Sequence, residues 1–325
     1  MSPTTILGID VAKDTFQVTL LQAGQRARGA FKNNRTGFKQ LTAWLKKRKA
    51  GQVWACLEST GPYGEALAEY LHAQGHPVSI VNPLAIKRYA ESQLSRNKTD
   101  PVDADLIADF CATQQPLLWA PPAPEIRELR ELLHQYDALQ TSRQQTRNRL
   151  TAGFQSAMVL AQLRAQIEFL DQQLAEIEQR INEHIAAHPH LRRQHELLDS
   201  IPGVGALTAA RLLAEDLSRF DDARSAAAYA GLTPMNRVSG TSVRRRPKLS
   251  KIGKASLRRA LYFPAIAASR LSIFGALYQR LLAQGKSKMA ALGAVMHKLL
   301  RTAFGVLKSG QPFDPTYATQ FHFAS

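Results

Sequence analysis

Thr5-Ile6-Leu7-Gly8-Ile9-Asp10 is the first stretch with a definite structural reading. A short apolar run with β-branched residues reads as a buried strand, and this one ends in a carboxylate. Val11 to Asp14 make the turn, and Thr15-Phe16-Gln17-Val18-Thr19-Leu20 alternates as a second strand. A third strand is expected near Ala27 to Lys32, then a helix from about Thr36 to Lys47. Val53-Trp54-Ala55-Cys56-Leu57-Glu58 repeats the opening pattern: an apolar run, then an acid. Gly61-Pro62-Tyr63 starts a helix through about Ala73, and Pro77 to Asn82 is a fifth strand. Three early strands followed by alternating helix and strand predict an α/β sheet.

That order is most like the ribonuclease H arrangement. Asp10 and Glu58 fall at strand ends, on the edge where open α/β sheets carry their sites. Asn97-Lys98-Thr99-Asp100-Pro101-Val102-Asp103 adds a helix start, with Thr99 or Asp100 as cap and proline in the first turn. Asp100 and Asp103 share one face of that helix, whereas Asp105 and Asp109 point elsewhere. Aspartates at strand ends and helix starts are common for turn and capping reasons alone. The informative feature is the set of four. Converging carboxylates repel unless cations neutralise them, and Mg²⁺ prefers such hard oxygen ligands. Two ions about 3.5–4 Å apart can clamp a phosphodiester undergoing displacement. Mn²⁺ suits the same ligands. Gly8-Ile9-Asp10 and its hairpin also fit the first phosphate loop of the actin-like sugar kinases, but no second glycine-rich phosphate loop follows.

The 325 residues exceed a usual single domain, so two or three are expected, and 45% hydrophobic content is ample for real cores. The net charge of +16 is concentrated. Residues 223–313 carry seventeen Lys or Arg and no acid, so the remainder carries −1. Such a field is the footprint expected of a nucleic-acid partner, with a membrane surface as the plainer alternative. Within it lies Ser239-Gly240-Thr241-Ser242-Val243-Arg244-Arg245-Arg246-Pro247-Lys248-Leu249-Ser250-Lys251, a hydroxyl-rich turn running into cations. Arg244, Arg245 and Arg246 have the bidentate geometry that suits phosphate. Lys248, Lys251, Lys254, Arg258 and Arg259 continue the basic run into the next helix, which starts at Ser250. Ser200 to Thr208, with Gly203 and Gly205, reads as the turn of a helix-hairpin-helix whose amides grip phosphate. Ser225 to Ala230 reads as a small-residue helix, and further helices are expected over Ser272 to Gln284 and Ser287 to Lys308.

Prolines 116, 121, 122 and 124 mark a break before a helix from about Glu125 to Leu150. After Thr151-Ala152-Gly153, residues Leu163, Ile167, Leu170, Leu174, Ile177, Ile181 and Ile185 form a coiled-coil seam. Pairing within the chain and dimerisation are both open. His184, His188 and His190 read as a solvated helix terminus. Cys56 and Cys111 have neither metal-ligand spacing nor a disulfide framework. With no signal peptide and no apolar run near the roughly 18 residues of a membrane span, a cytoplasmic, reduced protein without a membrane partner is expected. The expected division is an α/β metal-dependent domain at 1–115, a helical connector at 116–192 and a basic helical domain at 193–325. Pattern alone therefore gives a metal-dependent phosphodiester enzyme joined to a nucleic-acid-gripping domain. It leaves the nucleophile open.

Gly8-Ile9-Asp10, Glu58-Ser59-Thr60-Gly61, Arg96 to Asp103, Ile201-Pro202-Gly203-Val204-Gly205, Gly231-Leu232-Thr233-Pro234 and Ser239-Gly240 occur in this order. The ordered set resembles the insertion-sequence transposases with an N-terminal DEDD domain and a C-terminal serine domain, the IS-one-ten family. The match runs from about residue 5 to residue 314. The resemblance implies a RuvC-like, ribonuclease H-fold domain with Asp10, Glu58, Asp100 and Asp103 as its acids, and Ser239 as a catalytic serine. It also implies a DNA recombinase guided by a bridge RNA that pairs with target and donor DNA. The expected assembly is a homodimer that forms a tetramer on double-stranded DNA, in a bacterial cytoplasm and at the nucleoid when active. A phosphoserine conserves a phosphodiester bond for rejoining without ATP. The alternatives are a Holliday-junction-type endonuclease that hydrolyses DNA without a covalent intermediate, and a nucleic-acid-binding scaffold.

Overall fold

Thr5–Val11 forms β1, a strand at the centre of the N-terminal sheet in a computed structural model of the chain. The structure describes residues 5–59, 61–92, 100–239, 243–250 and 252–315, and it divides into two compact units, Met1–Pro122 and Ala123–Ser325. In the first unit β1 pairs antiparallel with β2 (Thr15–Gln22), and β2 pairs antiparallel with β3 (Gln25–Lys32). On its other edge β1 runs parallel to β4 (Trp54–Glu58), which runs parallel to β5 (Val78–Val81), giving the order β3-β2-β1-β4-β5.

Period-two alternation divides the side chains of β1 between two cores. Leu7 and Ile9 pack with Phe38, Leu41 and Leu45 of α1 (Arg35–Lys47) and Leu67 and Leu71 of α2 (Glu65–Ala73). Ile6 faces the other way, with Cys56, Ile86 of α3 (Pro83–Ser92) and Ile107 and Ala108 of α4 (Asp100–Gln114). Helices thus cover both faces of the sheet. Asn34 caps α1, its side-chain oxygen accepting from Gly37 N at 3.0 Å, which explains the sharp helix start. Two details differ from expectation. A short 3₁₀ turn over Pro62–Gly64 precedes α2, and α3 follows β5 immediately, with the Asn82 side chain accepting from Leu84 N at 2.8 Å.

In the second unit α5 (Pro124–Leu150) and α6 (Ala157–Ala187) form an antiparallel hairpin. The predicted seam lies on its inner side: Leu163, Leu170, Leu174, Ile181 and Ile185 are buried, and the last three join Leu129, Leu133 and Tyr136 of α5 in one core. Arg143 bonds Asp171 at 2.7 Å near the hairpin tip, and His184 Nε2 lies 2.8 Å from the Glu125 carbonyl at its base. The seam is therefore filled within the chain. His184 is buried rather than solvated, because the hairpin closes over it.

The chain continues through α7 (Pro189–Asp199), α8 (Ala206–Ala214) and α9 (Ala223–Tyr229) into a hairpin of β6 (Pro234–Ser239) and β7 (Val243–Leu249). Helices α10 (Ala255–Ala260), α11 (Tyr262–Ala268), α12 (Ser272–Ala283) and α13 (Lys288–Ser309) complete the unit. By length and composition alone α13 is long and apolar enough to cross a membrane, its most apolar 18 residues averaging a hydropathy of 1.2, but 56% of that window is buried inside the unit. Its Val295, Leu299, Leu300 and Ala303 are wholly buried, so it serves as the core helix of this unit. The coarse expectation, mixed α/β then mostly helical, matches the observed architecture.

Candidate active site

The parallel register of β1 and β4 pairs Gly8 with Cys56 and Ile9 with Leu57. The next position on each strand is an acid, so Asp10 and Glu58 stand side by side where the two strands end. Both are half-buried. By alternation they share the face of Gly8 and Cys56, the face that α4 covers.

Gly8 explains how closely α4 approaches. A Cβ at Gly8 would collide with the Ala104 carbonyl and the Ala108 backbone. The outer side of α4 is then fixed by a polar ladder. Asp105 accepts from Thr19 Oγ1 at 2.6 Å and pairs with Arg28, while Asp109 accepts from Arg26 at 2.8 Å. Arg28 and Thr19 are in register with Gly8, and Arg26 with Leu21 and Ile6. Asp105 therefore sits at the level of Gly8, and Asp109, one turn later, at the level of Ile6. Four helical residues rise about 6 Å, nearly the span of two strand residues. So α4 runs antiparallel to β1, and its first turn lies level with Asp10. That turn holds Asp103, which is half-buried, and the backbone of Asp100. Burial alone would raise the Asp105 carboxyl. Hydrogen bonds from Arg28 and Thr19, with the charges of Arg28 and Arg26, outweigh it and hold the group below its ordinary value.

The donors near the strand ends are hard carboxylate oxygens, the chemistry Mg²⁺ or Mn²⁺ takes. Among the described residues, no three Asp, Glu, His or Cys gather closely enough to hold a metal ion. The Asp100 side chain and residues 93–99 lie outside the described residues. The structure thus places two acids in adjacent registers and brings the helix start carrying the other two to their level. Behind them Cys56 and Cys111 meet in the core, and the hydrogen bond to Cys111, then burial, pushes the Cys56 thiol up, so it stays protonated.

The basic stretch is a β-hairpin, where a loop leading into a helix had been expected. Ser239 is the last residue of β6 and pairs with Val243, so Gly240, Thr241 and Ser242 form the connection, which lies outside the described residues. Arg244, Arg245, Arg246 and Lys248 are residues of β7, and a register irregularity falls between Met235 and Arg237. Lys251 lies outside the described residues. Lys254 and Arg258 have partners inside the unit: Lys254 Nζ is 2.8 Å from Glu215, and Arg258 donates to the Ala230 carbonyl at 2.9 Å. Arg259 is exposed. Gly203 has φ +90° and packs against Pro264 and Ala268 of α11, while Gly205 caps α8 with open space beside it. Sequence reasoning missed two residues here, Glu215 and Gly253. A Cβ at Gly253, whose φ is +136°, would strike the Tyr229 carbonyl. The Lys-Ile-Gly-Lys setting of Gly253 was the available signal.

Comparison with known proteins accounts for both halves. A DEDD-type transposase family matches residues 7–159, and the transposase IS116/IS110/IS902 family matches residues 195–279. A pilin gene-inverting protein of Moraxella bovis is 34% identical over 316 residues, covering 95% of this chain and 98% of its own length. The chain belongs to the IS110 family of transposases. A transposase for insertion sequence element IS1111A of Coxiella burnetii is 25% identical over 299 residues, covering 83% of this chain and 79% of the relative. This IS110-family chain is accordingly an enzyme of site-specific DNA recombination. The family's DEDD designation agrees with divalent-metal chemistry at carboxylates.

Proposed function

We propose that the chain cuts and rejoins DNA through a covalent phosphoserine at Ser239, with Asp10, Glu58, Asp100 and Asp103 as the metal-holding acids. The observation that carries this reading is the register that sets Asp10 beside Glu58 at two parallel strand ends, with the first turn of α4 level with them. The strand order β3-β2-β1-β4-β5 supports a ribonuclease H-like, RuvC-like assignment of the N-terminal domain. We divide the working parts as 1–115 for the acids, 116–192 for the helical connector and 193–325 for the serine and basic groups.

Ser239 Oγ attacks the scissile phosphorus and loses its proton as the oxygen–phosphorus bond forms. The bond to the 3′-oxygen breaks in the same displacement and that oxygen takes up a proton, leaving a 3′-hydroxyl and a 5′-phosphoserine. Attack by a 3′-hydroxyl of a new partner then re-forms a phosphodiester and returns the serine. No ATP is consumed because the bond count is unchanged. Asp10, Glu58, Asp100 and Asp103 would hold a divalent ion, which would supply charge stabilisation on the scissile phosphate. Arg244, Arg245, Arg246, Lys248 and Lys251 bind flanking phosphates, and Gly205 opens the α8 amides to backbone. The partners in this reading are target and donor DNA, a bridge RNA that pairs with both, and further copies of the chain, as a dimer and then a tetramer. It works in the cytoplasm and at the nucleoid.

Ser239→Ala is expected to abolish the protein–DNA adduct on a denaturing gel while duplex binding persists. An adduct that survives moves the nucleophile elsewhere, with Thr241 and Ser242 next in line. Free 5′-phosphate ends without an adduct in the unmodified protein would assign a hydrolytic endonuclease instead.

A further inference from the structure

A groove of about 650 Å³ opens between α11, α12 and α13, away from the basic hairpin residues in sequence. Its walls include Tyr262 and Tyr278, both half-buried, and the exposed Arg270 and Lys288. Leu271 and Met289 also line it and are 42% and 61% exposed, so the groove offers apolar surface beside its cations. All these residues fall within 223–313, the span that contains no Asp or Glu. Among the described residues, neither Arg270 nor Lys288 enters an ion pair.

We propose that this groove binds unpaired nucleotides of DNA, the bases against the tyrosines and apolar wall and the phosphates against Arg270 and Lys288. The assignment rests on the transposase reading, because strand exchange must at some stage hold DNA that has left its duplex. Aromatic faces beside cations are the combination that captures single strands, since every base has a π-face and every linkage a charge. A duplex hides its base faces and has no use for the apolar wall. The volume is within the range of sites that take a small organic moiety. A second copy that met this groove with its own is disfavoured as occupant, because it would bring one cationic lining against another.

The test uses the full-length protein, with fluorescence anisotropy on oligo-deoxythymidine, a duplex of equal length and oligo-uridine. Arg270→Glu with Lys288→Glu, both exposed positions, is expected to weaken oligo-deoxythymidine about tenfold or more and to lower its salt slope by about 1.4, the value for two lost phosphate contacts. Duplex binding is expected to stay within about twofold. Tyr278→Leu is expected to weaken the single strand by about tenfold, while Tyr278→Phe retains it, since stacking needs the ring alone. Unchanged oligo-deoxythymidine binding in the double variant overturns the proposal, as does an equal loss on duplex. Preference for oligo-uridine reassigns the groove to RNA, and a change of oligomeric state assigns it to a second copy. Failure of the unmodified protein to bind any DNA would instead overturn the transposase reading, whereas duplex binding with a normal serine adduct isolates the failure to the groove.

Discussion

The acid-bearing strand ends and the serine-bearing hairpin are held in different ways. β1 is paired along both edges, by β2 and by β4, so the backbone itself sets where Asp10 stands relative to Glu58. Among the described residues β6 and β7 pair only with each other, and a two-stranded hairpin is marginal on its own. Its anchorage comes from its base, where Ser250 N bonds the Thr233 carbonyl at 2.9 Å and Leu249 packs on Gly293 of α13. Asp10 and Glu58 are thus fixed by obligatory ladder hydrogen bonds. Ser239 stands at the end of a strand that leans on helices.

The sharpest way to break this contrast is to remove a charge without disturbing the ladder. Asp10→Asn and Glu58→Gln are expected to lower strand cleavage by about 10³-fold or more, with the thermal midpoint nearly unchanged. Single-turnover cleavage of a radiolabelled duplex with Mg²⁺ measures the first, and calorimetry the second. Normal cleavage by either variant would dismiss the strand-end acids as metal ligands. Gly8→Ala has the opposite signature. Its new methyl meets backbone atoms of Ala104 and Ala108, which cannot swing aside, so a loss of about 3 kcal/mol is expected, at the upper end for overpacking. Urea titration checks it; a near-neutral result would mean that α4 is not seated on β1.

Legibility followed the same division. Strands announce themselves by period two and by the acid that ends an apolar run, so β1, β2, β4 and β5 were readable to within a residue or two. Asp10 and Glu58 were legible as a pair, but their neighbouring register was not, because parallel pairing joins residues about fifty positions apart. The reason for Gly8 was equally hidden, since a close approach by α4 leaves no local trace. In the basic half, charge was legible and backbone was not. Arg244 to Lys248 have no apolar alternation to mark a strand, so their pattern predicts a loop where β7 lies. Lys254 shows the limit of charge counting: it counts toward the cationic field, yet it neutralises Glu215.

That pair offers an intermediate test. Glu215 is buried at 7% exposure and also receives the Tyr229 hydroxyl at 3.4 Å. Lys254→Ala leaves a buried carboxylate short of its cation and is expected to cost about 1–3 kcal/mol. Lys254→Ala with Glu215→Gln should recover most of that. If Lys254 instead serves mainly as a phosphate contact, the double variant regains stability but keeps a reduced salt slope for duplex binding, lower by about 0.9. Measuring both quantities on both variants separates a structural cation from a binding one.

The smallest effect concerns the ladder that orients α4, and its sign with pH is fixed. The folded-state carboxyl of Asp105 lies below its ordinary value of 3.8. A group depressed in this way adds stability that is fully present above the unfolded pKa and is lost as pH falls through the folded one. Asp105→Asn is therefore expected to destabilise by about 1 kcal/mol at pH 6, since the bonds from Arg28 and Thr19 weaken when the charge is removed. Below the folded pKa the unmodified chain is itself protonated there, so the two proteins should converge in stability in strong acid. Urea midpoints from neutral pH into strong acid follow the difference. A difference that grows as the solution is acidified would mean that burial, the one influence raising this carboxyl, outweighs its arginine partners, and α4 would then owe its orientation to the Gly8 contact alone.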